Sequence, residues 1–153
     1  MKRPTERDLK GMSTEACVNG DVSSLSMYLT TGRLIWGDHA ALMAAKNGHL
    51  NCLQFAVSYM APMHVDMAGL LAAQNGHMDV LQYLVATHKL GTTVPWHPST
   101  LYWPALTGHV HVVNYLLDAM KRLTKVQFDD AIAAAEYHGH LECVDLLRCR
   151  LKL

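Results

Sequence analysis

The dipeptide Gly-His recurs four times at near-regular spacing, at Gly48-His49, Gly76-His77, Gly108-His109 and Gly139-His140, and Gly20-Asp21 precedes them in register. The intervals between these glycines are 28, 28, 32 and 31 residues (48−20, 76−48, 108−76 and 139−108). Units of that length cannot bury an apolar face alone, so they stack into one continuous core. Such an array offers an extended surface, and its usual work is binding.

The residues around each glycine follow one pattern. Two positions after it stand Val22, Leu50, Met78, Val110 and Leu141; five after it Leu25, Leu53, Leu81, Val113 and Val144; seven after it Met27, Phe55, Tyr83, Tyr115 and Leu146. Leu84, Leu116 and Leu147 extend the series by one position. These steps predict an apolar face on a second helix of each unit. Before the glycine, Ala16, Ala44, Ala72, Pro104 and Ala135 stand at minus four, and Cys17, Ala45, Ala73, Ala105 and Glu136 at minus three. Small side chains there predict a closely packed first helix. Ten positions before the glycine, Asp38, Asp66 and Asp129 are expected to cap the first helices, with Pro98-Ser99 in the fourth unit and Lys10 in the first. An aspartate cap stabilises a helix start by about 1 kcal/mol.

Glycine at the turn adopts the left-handed conformation without steric cost. Asp21 is then placed to cap the second helix, and a histidine ring nitrogen could serve in the same place. Metal binding is the competing use of His49, His77, His109 and His140. Successive units hold these rings a repeat width apart, whereas zinc ligands converge to about 2.0–2.1 Å from one ion. The closer pairs, His109 with His111 and His138 with His140, straddle a helix start and do not aim at one point. No metal and no cofactor is expected.

The irregular stretches are distinctive. The second helix of unit three should end near His88, and KLGTTVPWHP then forms the longest connector. Pro95 and Pro98 hold it extended. Trp96 is either a plug over the seam between units three and four or an exposed anchor, and Trp36 occupies the matching earlier connector. Pro104 predicts that the first helix of unit four is short, is kinked or begins near Trp103. Thr124 with Gln127 forms a candidate capping box, which would start the fifth unit's first helix early.

The segments AAKNGHLNCLQF (Ala44 to Phe55) and AAQNGHMDVLQYL (Ala72 to Leu84) resemble the ankyrin repeat, with its alanine pair, two variable residues, Gly-His turn and aliphatic second helix. PALTGHVHVVNYLL in unit four is recognisably similar. The family's Thr-Pro-Leu-His start is missing, with His39 to Leu42 and Met67 to Leu70 in its place, and 28-residue intervals leave little room for a β-hairpin finger. The pattern is similar to the shortened repeats of protists and large DNA viruses. The resemblance implies an all-α, ankyrin-like solenoid of about five helix-turn-helix units with reduced fingers. It forms one domain over 1–153, with units near 5–36, 37–64, 65–97, 98–127 and 128–153.

Thirteen basic and thirteen acidic residues give no net charge, so the electrostatic drive that dominates binding to nucleic acid is missing. Local basic clusters remain at Lys121, Arg122 and Lys125, and at Arg148, Arg150 and Lys152. The uncharged stretch from Leu50 to Val65 contains Asn51, Gln54 and Pro62 and is no membrane span. No secretory leader is read in the charged N-terminus. Cys17, Cys52, Cys143 and Cys149 show no paired spacing, which suits a reduced, intracellular and most simply cytoplasmic chain. The charged first unit and the basic end of the last helix read as polar caps of the array. No glycine-rich phosphate loop or nucleophile elbow is present, so no enzymatic activity is expected.

The resemblance places partner contacts on the concave surface formed by the first helices and the connectors. The residues it carries over are Lys46, Asn47, Gln74, Asn75, Leu106, Thr107, Tyr137 and His138, joined by the connector residues Trp96 and His97 and the cap positions Asp38 and Asp66. The expected function is a non-catalytic adaptor or scaffold module, monomeric or within a hetero-complex. The alternative is a small structural subunit of a large multiprotein or ribonucleoprotein assembly, the one setting in which nucleic acid would be nearby.

Overall fold

The computed structural model describes residues 5–31, 38–56, 62–93, 95–120 and 122–152. Among them are ten helices and no β-strand. The first unit comprises α1 (Glu6–Asn19) and α2 (Val22–Thr30), and the second α3 (Asp38–Lys46) and α4 (Leu50–Ala56). The third comprises α5 (Pro62–Gln74) and α6 (Met78–His88), and the fourth α7 (Tyr102–Thr107) and α8 (Val110–Ala119). The fifth holds α9 (Lys125–Tyr137) and α10 (Leu141–Leu151). The two helices of each unit pack together, and the first helices stack in an unbroken row, α1 on α3, α3 on α5, α5 on α7 and α7 on α9.

Each unit turns in the same way. The five turn glycines have φ between 72° and 78°. At Gly48 the glycine N–H donates to Ala45 O (3.4 Å) and the following His49 N–H to Ala44 O (2.9 Å). This paired arrangement satisfies the carbonyls that a helix end leaves open, and it needs a left-handed residue where glycine stands. The same second bond closes at Ala16, Ala72, Pro104 and Ala135 (2.9 Å each).

The alanines are buried as the first-helix pattern requires, with Ala44, Ala45, Ala72, Ala73 and Ala105 fully enclosed. On the second helices the buried rows are plus four (Cys52, Val80, Val112, Cys143), plus five and plus eight. At about 100° per residue these three positions fall within one arc of about 100°, and plus two and plus seven flank it on either side. The expected plus-seven row is therefore the margin of the core and not its centre. Met27 and Phe55 are exposed, while Tyr83, Tyr115 and Leu146 pack half-buried against the core.

The cap positions differ from expectation in most units. Thr5 and Thr124 start α1 and α9, each in a full capping box, with Asp8 and with Gln127. Lys10 and Asp129 consequently lie within helices. Helix α5 begins at Pro62, whose fixed φ and missing N–H suit a first helical position, so Asp66 is interior as well. The approximate unit boundaries 64/65 and 127/128 thus fall inside α5 and α9. Asp38 is the first residue of α3; its side chain lies outside the described residues, as does Trp36. In unit four the six-residue α7 begins after Leu101, not at Ser99. The Ser99 N–H donates to His97 Nδ1 (3.2 Å). Pro104 is the third helical residue, where no intrahelical bond is lost.

Between units three and four the second helices α6 and α8 make little direct contact. The connector fills the seam, with Leu90, Thr100 and Leu101 buried. Leu90 rests on Gly69 of α5, where any Cβ would collide with its side chain. Trp96 is half-buried against the core, its indole edge lying on Gly91. It is a plug with one open face.

Candidate functional site

The turn histidines are structural, and their role is not the capping one. The rings of His77, His109 and His140 make no bond at their own helix starts. Each instead reaches back to the preceding unit. His49 Nε2 bonds Val18 O (3.0 Å) and His77 Nε2 bonds Lys46 O (2.9 Å). The rings cover the preceding turn glycine so closely that a Cβ on Gly20, Gly48, Gly76 or Gly108 would fall 2.8, 2.5, 3.0 and 2.6 Å from the nearest ring atom of His49, His77, His109 and His140. Glycine at these turns thus answers two demands, a left-handed backbone and a flat seat for the next unit's imidazole. Asp21, by contrast, does cap α2, accepting from Ser24 N (3.0 Å).

Two partly buried histidines, His109 of that ladder and His88 at the end of α6, make stability pH-dependent. Burial pushes the pKa of His109 below its usual 6.5, and the neighbouring His111 adds to the shift; burial lowers His88 in the same way. The folded chain therefore favours neutral rings and binds fewer protons than the unfolded chain just below pH 6.5. This contribution is intact above about 6.5, the unfolded value, and is lost as pH falls below it through the lowered folded pKa. Thermal unfolding is expected to show Tm falling by a few degrees between pH 7 and pH 5, with a shallower slope in His109→Gln.

The surface of the stacked first helices carries the residues expected to meet a partner, and the structure sorts them. Asn47 Nδ2 donates to Val18 O (3.3 Å), Asn75 Nδ2 to Leu71 O (2.8 Å), and Thr107 Oγ1 to Gln74 O (3.2 Å). His97 holds the connector through Ser99. These four polar groups are engaged within the solenoid. Lys46, Tyr137 and His138 are exposed, and Gln74 and Leu106 half-buried. Tyr137 is 87% exposed, the largest value among the exposed large hydrophobic residues, with its ring edge-on to His138. The structure brings Tyr137 and His138 together and sets Trp96 apart on the connector, where it lines a cleft with Met120 and Arg122. The sequence pattern did not point to that cleft.

The basic cluster at the C-terminal end is neutralised in part, since Arg148 pairs with Glu136 and Arg150 with Asp118. Among the described residues no group of three His, Cys, Asp or Glu side chains is placed to hold a metal ion. No described helix is long and apolar enough to cross a membrane. Cys17, Cys52 and Cys143 are buried and Cys149 exposed, all as free thiols. Burial, with a smaller effect from Cys52, pushes the Cys17 pKa up to about 12. Because the thiolate is the reactive form, one thiol of the four, Cys149, is expected to react promptly with a disulfide reagent in the native chain, and all four in denaturant. A fast Cys17 would contradict the burial described.

Stacked helical pairs with an open row of first-helix side chains define a solenoid of the kind that works through its surface. The family model for ankyrin repeats (3 copies) matches residues 69–152, more than half the chain, and the protein belongs to the ankyrin-repeat family. Repeats of this family generally mediate protein–protein interaction and are typically non-catalytic. No curated protein matches the sequence.

Proposed function

We propose that the chain is a non-catalytic adaptor that docks one protein partner on the first-helix and connector surface of units three to five. The observation that carries this reading is Tyr137, a large aromatic side chain left 87% exposed at the end of the first-helix row. Interface energy concentrates in such aromatic anchors. Leu106 is the apolar neighbour in the same row, Gln74 and His138 supply its polar margin, and Lys46 continues the row into unit two. Asn47, Asn75, Thr107 and His97 support this surface from within. Among the described second-helix residues, Tyr83 and Tyr115 are half-buried against the core, and Phe55, at 36%, is far less exposed than Tyr137.

With a partner isolated on the tagged chain, Tyr137→Ala is expected to weaken binding by about 2 kcal/mol or more, while Lys46→Ala changes it by less than about 1 kcal/mol. Tyr137 is too exposed to hold the fold, so the helical signal and Tm stay unchanged. Undiminished binding by a Tyr137→Ala, Leu106→Ala double variant would remove the surface from consideration. A chain that is stable only in stoichiometric association with one large assembly would favour the structural-subunit alternative.

A further inference from the structure

A cleft of about 540 Å3 opens between the connector of units three and four and the turn joining α8 to α9, lined in part by Gly91, Pro95, Trp96, Met120, Arg122 and Gln127. That volume falls in the range of small-ligand and side-chain pockets, about 300–1,000 Å3. Its walls are fixed. Trp96 lies on Gly91, whose φ of 84° admits no side chain without strain, and Gln127 Nε2 donates across the cleft's rim to Pro98 O (3.2 Å). Met120 is buried and gives an apolar floor beside the indole.

The polar character of the lining has one sign. Arg122 is exposed, and no carboxylate is among the described lining residues. The N-terminus of α9, beginning at Lys125, adds the partial positive charge of its first turn. Trp96 Nε1 is buried against Gly91 and makes no bond among the described residues, so the indole gives the cleft an apolar ring and no free donor. A site with a cation, the positive end of a helix and an apolar floor selects an anionic group carried next to an aliphatic one. A phosphate backbone would ask for several converging cations, whereas the chain has no net charge.

We propose that this cleft receives an acidic side chain of the partner protein, its carboxylate paired with Arg122 and an adjacent aliphatic residue packed on Trp96 and Met120. The assignment rests on the partner-docking reading above and names the chemistry that reading lacks.

The full chain labelled with 15N would be titrated with pools of acetylated, amidated hexapeptides in which a fixed Glu is flanked by Leu or Ile, and with matched pools carrying Gln or Lys. The Trp96 indole and Arg122 side-chain resonances, assigned through Trp96→Phe and Arg122→Gln, report occupancy. The Glu pool is expected to shift both signals saturably and about tenfold more tightly than the Gln pool, the scale of one charge-assisted pair. Arg122→Gln should erase that preference and Arg122→Glu should transfer it to the Lys pool. Equal response to Glu and Gln, no response, or stronger binding of a single-stranded oligonucleotide than of the Glu pool would overturn the proposal. If Tyr137→Ala abolishes partner binding while Arg122→Glu leaves it intact, the docking surface stands and the acidic pocket falls. If the Glu pool binds through Arg122 but Tyr137→Ala is silent, the pocket is real and the docking surface is wrong.

Discussion

Replacing Gly48 by alanine is expected to destabilise the chain by about 3 kcal/mol, and the same change at Gly139 by about 1 kcal/mol. Both glycines hold φ near 75°, so both variants carry the left-handed penalty. Only Gly48 also seats a ring: its new Cβ would lie 2.5 Å from His77 Nδ1, whereas nothing stands within 4 Å of the same position on Gly139. The difference between the two, read from chemical denaturation midpoints, isolates the seat from the backbone conformation. His77→Ala in the Gly48→Ala background should recover part of the loss, because the clash is removed along with the Lys46 hydrogen bond. Equal costs at the two glycines would mean that the imidazole ladder contributes nothing beyond turn geometry.

Leu90→Ala is the second large effect, at about 2–5 kcal/mol for truncating a fully buried leucine. Its consequence should be local as well. Leu90 sits on Gly69 and fills a seam where α6 and α8 barely touch, so shortening it weakens the coupling between units three and four more than the units themselves. In a solenoid, stability is the sum of unit and neighbour terms. The variant should therefore unfold in two resolved steps, with units four and five separating from units one to three, where the parent unfolds with the seam intact. Gly69→Ala should act in the same direction, since the added methyl meets Leu90. A single cooperative loss with unchanged shape would place Leu90 in an ordinary core role.

The fold was legible because its determinants are local and repeated. Gly-His and Gly-Asp spacing located every turn, the alanine rows located the first helices, and the apolar rows at plus five and plus eight located part of the buried face, whose plus-four row carries no such periodic signal. Thr124 with Gln127 and the short helix around Pro104 were readable from chemistry confined to a few residues. The helix starts were less so: an aspartate at a fixed offset from the turn is outweighed where a threonine box or an N1 proline lies further upstream, as at Thr5, Pro62 and Thr124. The histidine function required contacts between residues about 30 apart. Its sequence trace was present in the pairing of Gly with the next unit's His, but spacing alone does not say that one covers the other. Gly69 was equally opaque, because its partner Leu90 enters from a connector without periodicity. Among the expected contact residues, Asn47, Asn75 and Thr107 occupy the surface row yet bond inward, a distinction that depends on side-chain rotation and not on position.

The claim that a partner lies across the stacked first helices and connector is tested most directly by hydrogen exchange on the chain free and in complex with an isolated partner. The account predicts added protection in the C-terminal turns of α7 and α9 and in the Leu90–Ser99 connector, with Tyr137 and His138 at its centre. Protection confined to the outer second helices α6, α8 and α10, with those segments unchanged, would contradict it.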